Sequence, residues 1–376
     1  MGDSKKCSPL FSKRKTLKSL HPTMFYKTLK TWVVASAAIM PLVSNAQQTY
    51  AEQLGWPKGA KIVIFHVDDP GMSYSSNQGT IKSVEQGVAT SCSIMFPCPW
   101  SASFVNYILK SNPNLDAGVH LTLTSEWRDY RWTPLAGFQN VPSLVDKEGN
   151  LWHEVAQVVK NGTADDVEKE IRAQVERALR MGLKPTHLDS HMGTLFAHQP
   201  FLERYIKVGA EYGIPVMFPG GNNKLLRECQ LHPVIKKLKA EGKWKEGMQL
   251  PDPELLKMTG PVGRKIWSLG LPVLDDLHTI SGDWKPETSN PTPEEWGKYK
   301  AQKFIETLDA MQPGLAMFII HSSDITDAFK HISASGGSRY ADMLSMMSPE
   351  LKAHIQSKGI ILTTWREVME RRKKVK

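Results

Sequence analysis

The sequence predicts an α/β fold in which a parallel sheet is covered by helices. Three observations carry this. Short β-branched runs alternate with polar, helix-compatible stretches, the pattern of successive strand–helix–strand units. The chain has 376 residues, 41% of them hydrophobic, enough for one large core that an α/β barrel of ordinary size would largely fill. Polar groups that are costly to bury follow directly on apolar runs, as they do where a barrel or open sheet presents its strand ends to a ligand.

The elements follow in order. Lys61–Val67 is a first strand, built on Ile62-Val63-Ile64-Phe65, and Asn77–Gln86 has helical composition ending at Gly87. Ala89–Met95 is a second strand, closed by Pro97-Cys98-Pro99; Ser103–Lys110 is helical and Asp116–Leu123 a third strand. In Asp165–Met181, Val167, Ile171, Val175, Ala178 and Leu179 recur at helical spacing. Acids open this helix, Arg177 and Arg180 lie near its end, and Gly182 stops it. Thr186–Asp189 reads as a short strand, Gln199–Tyr212 as a helix, and Ile214–Phe218 as a strand. The rhythm resumes with a helix over Glu294–Met311, a strand Leu315–Ile320, a helix from Tyr340, a strand Ile360–Thr363 and a last helix Trp365–Arg372. Glu126–Leu151 and Asn222–Pro293 interrupt it. Both read as insertions at loops, where active-site walls are often built. No linker divides the chain, so residues 47–376 are expected to form a single domain.

The net charge of +9 suggests a nucleic-acid or anionic-membrane partner, but its distribution argues otherwise. Residues 1–46 hold eight Lys or Arg and one acid, Asp3, which leaves a net +2 for the remainder. Trp32–Val43 is an apolar run preceded by Lys27 and Lys30 and followed by Ser44-Asn45-Ala46, the layout of an export signal starting near Met24 and cleaved after Ala46. The run is short for a membrane anchor, so a periplasmic or extracellular protein without stable membrane insertion is expected. Of the four cysteines, Cys92, Cys98 and Cys229 lie beyond this segment; a Cys92–Cys98 bridge and three buried thiols are both open.

Four polar clusters follow strand-like runs. The first is His66-Val67-Asp68-Asp69-Pro70-Gly71, and the second is His120 within Gly118-Val119-His120-Leu121-Thr122-Leu123-Thr124. The third is Thr186-His187-Leu188-Asp189-Ser190-His191, and the fourth His321-Ser322-Ser323-Asp324. A parallel barrel would deliver all four to one rim. One carboxylate with two imidazoles suffices for a divalent metal with positions open to water and substrate. A second carboxylate could take a proton from the water, and a further His could protonate the leaving group, which suits hydrolysis of an amide or ester.

Asp68-Asp69-Pro70-Gly71-Met72-Ser73 resembles the Asp-Asp-Phe-Gly-Leu-Ser element of the YdjC-like (ChbG-type) carbohydrate deacetylases. The His120 segment resembles their Gly-x-His-x-x-Leu-Thr element, and the third cluster their Thr-His-x-Asp-Ser-His element. The resemblance spans roughly residues 61–220. It implies a distorted (β/α) barrel of TIM-like, NodB-like type with loop insertions, and metal-dependent removal of acetyl from an N-acetylated or O-acetylated saccharide. By position it implies Asp69, His120 and His191 as ligands of one divalent metal, zinc or magnesium, and Asp68 as general base. His321 is similar to the late His of the wider polysaccharide deacetylase superfamily, which implies a general acid. Pro70 departs from the usual Phe, and Met192-Gly193-Thr194-Leu195 from a His-rich run.

An Asp-Asp pair after a strand commonly caps a helix or turn. In a strand His187, Asp189 and His191 would share a face, so Asp189 either orients a ligand imidazole or caps the next helix. Arg131 is expected to contact substrate, and Trp132 with Trp127 either to stack on a sugar or to pack its own loop. A non-catalytic carbohydrate-binding barrel, or a metal hydrolase of another amide or ester, are the alternatives to the deacetylase.

Overall fold

The computed structural model describes residues 48–375, so the export-signal reading lies outside the described residues. Gln47–Lys376 is one compact unit. After α1 (Tyr50–Gln53) the chain runs β1 (Lys61–Val67), α2 (Tyr74–Glu85), β2 (Ser91–Ile94), α3 (Ser101–Ser111) and β3 (Ala117–Leu121). Then come α4 (Val155–Asn161), α5 (Ala164–Arg180), β4 (Leu188–Ser190), α6 (Gln199–Tyr212), α7 (Lys224–Ala240), α8 (Glu254–Ser268) and β5 (Asp276–His278). The chain ends with α9 (Pro293–Ala310), β6 (Gly314–Ile320), α10 (Gly336–Met346), α11 (Pro349–Ser357), β7 (Ile361–Leu362) and α12 (Trp365–Lys374).

All strand pairs are parallel, in the order β4-β3-β2-β1-β6-β5, with β7 also on β1. One edge of β1 is covered along its whole length by β6, from Lys61 on Gly314 to Val67 on Ile320. The other edge is shared. Ile62 and Val63 pair with β7, and His66 and Val67 pair with β2. This split wedges the sheet apart at one end and distorts the barrel. Closure comes from residues 215–220, where single bridges join Leu188 to Val216 and Pro219 to Leu274. Leu188 N donates to Pro215 O and Leu274 N to Phe218 O, at 2.8 and 3.0 Å. The strand expected over Ile214–Phe218 is thus a two-sided seam rather than a regular strand. Outside the sheet, Phe65 of β1 and Phe318 of β6 pack against Phe304 of α9; all three are fully buried and their rings meet edge-on or tilted.

The helices follow their sequence signals. In α5 the Thr163 hydroxyl accepts from Asp166 N, Asp165 and Asp166 occupy the first turn, and Arg177 and Arg180 the last. Val167, Ile171, Val175 and Ala178 are buried as their spacing requires, whereas Leu179 faces solvent. Cys92, Cys98 and Cys229 are buried free thiols.

The reading of 222–293 as a loop insertion needs correction. It supplies β5, which pairs with β6 inside the barrel. Its sequence carries no strand pattern because Asp275-Asp276 interrupts the apolar run. Both carboxylates cap backbone: Asp275 accepts from the N–H of Tyr50, Ala51 and Leu315, and Asp276 from those of Leu225 and Leu226. This is the capping use of an Asp-Asp pair. The pair after β1 does something else.

Candidate metal centre

The strands β1, β3, β4 and β6 end on one rim and deliver Asp68-Asp69, His120, His191 and His321 there. Asp69 Oδ1, His120 Nε2 and His191 Nδ1 converge. The carboxylate oxygen lies 3.3 Å from His120 and 3.4 Å from His191, and the two nitrogens are 3.1 Å apart. All three residues are buried, and Asp69 Oδ1 makes no well-formed hydrogen bond among the described residues. An orphaned buried carboxylate oxygen between two imidazole nitrogens fits a divalent cation, and the three atoms form one candidate ligand group.

Each ligand is held from behind. His120 Nδ1 donates to Asp189 Oδ1 at 2.7 Å, which leaves Nε2 free for a metal. Asp189 Oδ2 accepts from Ser93 Oγ at 2.8 Å and lies 3.0 Å from His66 Nε2. His66 in turn lies 3.2 Å from Asp68 Oδ1 and bonds Ser91 and Ser93. His191 Nε2 meets Glu126 Oε1 at 2.9 Å, and the Thr124 hydroxyl also donates to that oxygen. Asp69 Oδ2 is taken by Arg339 Nη1 at 2.6 Å, and Arg339 Nε is fixed by Ser335 Oγ.

Charges in the site oppose burial and win. Burial pushes Asp69 up, but Arg339 and the two imidazoles hold it well below the usual carboxylate range. Burial pushes His191 down, but Glu126 and Asp69 raise it to about 9. His120 is likewise raised despite burial, by Asp189 and Asp68. A proton on His191 therefore stabilises the metal-free fold fully below about pH 6.5, and that contribution is lost as pH rises through about 9. A metal must displace this proton. Apparent metal affinity, read by competition with a chelator, is expected to rise between pH 6.5 and 9. Glu126→Gln removes the main source of the raised value and should move the profile to lower pH; an unmoved profile would refute this linkage.

Asp68 turns away from Asp69. Its Oδ2 lies 3.7 Å from His120 Nε2 and 3.8 Å from His321 Nε2. The backbone takes this course because Asp69 has φ 74°, a left-handed conformation rare for a residue other than glycine. A residue before proline is ordinarily extended; Asp69, ahead of Pro70, takes a strained left-handed turn instead. His321 is the most open of these groups, its side chain 31% exposed, and it marks the mouth of the site. Burial and then the Arg339 charge hold its pKa below 6.5. Its N–H donates to Asp342 Oδ2, and the other oxygen of Asp342 pairs with fully buried Lys300.

Three sequence-named residues lie off the triad. His187 packs flat on Trp365, and its ring fills the place where a Cβ on Gly118 would sit, 2.6 Å away. Gly118 is therefore needed two residues before His120. Gly118→Ala is expected to destabilise by about 1–3 kcal/mol through overpacking, read as a lowered melting temperature. Arg131 does not reach the mouth. Its guanidinium is engaged by Ser125, Asp146, the Leu151 carbonyl and His153, stapling the 125–153 loop. Trp132 is buried, with its indole N–H on Thr124 O, so it packs the loop beneath Glu126. The sequence pattern includes His66 in the first cluster without a role, and does not single out Ser93, Glu126 or Arg339. Polar residues two apart in β1 and β2 were a usable signal for His66 and Ser93; Arg339 carried none.

The sequence model of the YdjC-like protein family matches residues 62–357. The chain belongs to the YdjC-like family. Among its relatives, a carbohydrate deacetylase of Brevibacillus brevis is 34% identical over 157 residues, which cover 42% of this chain and 59% of the relative. One from Thermus thermophilus is 31% identical over 161 residues, 43% of this chain and 54% of the relative. The YdjC-like chain thus spans between half and three-fifths of the length of these curated relatives. A solved structure from Enterococcus faecalis, described as a candidate cellobiose-phosphate cleavage protein, aligns with a TM-score of 0.60 at 20% identity. It covers 81% of this chain and 98% of its own, a likeness of fold.

Proposed function

We propose that this chain is a metal-dependent carbohydrate deacetylase that hydrolyses acetyl groups from an N-acetylated or O-acetylated saccharide. The observation that carries the reading is the convergence of Asp69 Oδ1, His120 Nε2 and His191 Nδ1 within 3.4 Å of one another, with Asp68 and His321 on the open side. The names of the curated relatives support it. Asp69, His120 and His191 would hold a divalent ion, and such an ion, zinc suiting imidazole donors, would supply Lewis acidity toward the acetyl carbonyl and the attacking water.

The chain's own groups do the rest. Asp68 accepts the proton of the attacking water, its far oxygen lying 3.2 Å from His66 Nε2. His321 is neutral at pH 7 by its lowered pKa and lies 3.8 Å from Asp68, so it receives that proton and delivers it to the departing amine or alcohol. Asp342 and Lys300 fix the backbone from which His321 acts. The test is acetate release from a panel of N- and O-acetylated oligosaccharides with zinc, magnesium, cobalt or nickel added to metal-stripped protein. Absence of metal-dependent release across the panel would sink the proposal.

We also propose export, supported by the basic, apolar and small-residue succession ahead of Gln47. N-terminal sequencing of the exported protein should begin near Gln47, and an intact Met1 start in the cytosol would remove the idea. Among the described residues no helix is long and apolar enough to cross a membrane.

A further inference from the structure

Two large aromatic side chains stand exposed beside the Asp69 turn. Tyr74 is 48% and Trp100 41% exposed, and their ring centroids lie 5.3 Å apart at an interplanar angle of 55°. Exposed aromatics are expensive in water, and here two are gathered where single ones would need no explanation. Their place in the fold is fixed. Tyr74 opens α2 directly after the β1 loop, and Trp100 caps α3 directly after the β2 loop, so both stand on the rim that carries the triad.

The loops are locked together. Asn77 Oδ1 accepts from Gly71 N at 2.6 Å, while Asn77 Nδ2 donates to Trp100 O at 3.1 Å. Met95 N donates to Pro70 O. Gly71 sits so close to Ser101 that an added Cβ would lie 3.2 Å from the Ser101 Cα. Two residues of chain from Asp69, one such contact and one further residue put the Trp100 Cα at most roughly 16 Å from that of Asp69.

We propose that Tyr74 and Trp100 form a sugar-binding subsite that stacks a pyranose ring one or two units away from the ring deacetylated at the triad, so that the chain prefers an oligosaccharide to a monosaccharide. This rests on the saccharide reading of the site and adds the length of the substrate to it. The apolar C–H face of a pyranose matches a π surface, and the tilted second ring forms a wall against which the sugar's edge rests. The rigid tie through Asn77 and Gly71 fixes the spacing between the platform and the metal ligands.

The test uses chains inactivated by His120→Ala, and measures binding of N-acetylglucosamine and of β-1,4-linked tetramers of N-acetylglucosamine and of glucose by titration calorimetry. At least one tetramer should bind more tightly than the monosaccharide. Trp100→Ala should weaken that tetramer about tenfold, Tyr74→Ala by a smaller factor, and Trp100→Phe should restore most of the loss. In the active chain, Trp100→Ala should lower the ratio of tetramer to monosaccharide kcat/KM by a similar factor. Equal tetramer affinity with and without Trp100, in variants whose melting temperatures match, overturns the proposal. So does a set of tetramers none of which binds better than N-acetylglucosamine. Trp100-dependent binding without acetate release would leave the subsite standing and remove the hydrolase, while acetate release indifferent to Trp100 would do the reverse.

Discussion

Replacing His120 with alanine is expected to strip the metal from the protein and to lower acetate release by about three orders of magnitude or more. His120 is the middle member of the constellation. Its Nε2 faces Asp69 and its Nδ1 is bonded to Asp189, so its removal deletes one ligand and leaves Asp68, Asp69 and Asp189 facing one another with less positive charge between them. Uncompensated buried carboxylates of this kind cost several kcal/mol, so the variant should also melt lower. The control is Asp189→Asn. It keeps an acceptor for His120 Nδ1 but loses the charge that faces His66, and a loss of about 10- to 100-fold in metal affinity or activity is expected. Metal content by elemental analysis, set beside acetate release, separates the two. Stoichiometric metal with full activity in His120→Ala would end the scheme.

The second large effect is expected at Arg339. Its guanidinium is the counter-ion of fully buried Asp69 and occupies Oδ2, so that only Oδ1 turns toward the imidazoles. Arg339→Gln breaks a buried pair from one side, which should cost the metal-free protein about 3–5 kcal/mol. It also removes a positive charge next to a cation site and frees the second carboxylate oxygen. Metal affinity should therefore rise while acetate release falls, and added metal should raise the melting temperature of the variant more than that of the parent. Arg339→Lys should recover charge but not the 2.6 Å fit. A parallel fall in both metal affinity and activity would show Arg339 to be merely structural.

What could be seen in the sequence depended on the length of each signal. The strands β1, β3 and β6, and the helices α5 and α6, have enough periodic residues to declare themselves, and their ends fall within a few residues of expectation. The strand β5 has three residues, the first of them an acid and another acid directly before it, so its period is broken by groups that cap other elements. The seam at 215–220 is held by single bridges and has no strand pattern to detect. The site divides in the same way. The five groups on the rim announced themselves because carboxylates and imidazoles are conspicuous after apolar runs. The groups that hold them, Ser93, Glu126 and Arg339, are ordinary residues in polar surroundings, and only the fold brings Arg339 to Asp69. Arg131 and Trp132 misled for the complementary reason: residue types that often bind sugars were needed to pack their own loop.

The division of the β1 edge has a consequence for how the protein is made. β1 is the first strand among the described residues, yet Lys61 pairs with Gly314 and Ile62 with Ile361. These two partners are the last of the seven strands in chain order, and only β2 precedes them as a neighbour of β1. An apolar strand with open edges is a template for pairing with other chains, and distant pairing is slow. Until β6 and β7 arrive, β2 can cover only the His66–Val67 end of β1, and the open remainder of this apolar strand lets aggregation compete with folding. The C-terminal strands thus set the pace of assembly, and the yield of folded protein depends on what shields β1 in the meantime.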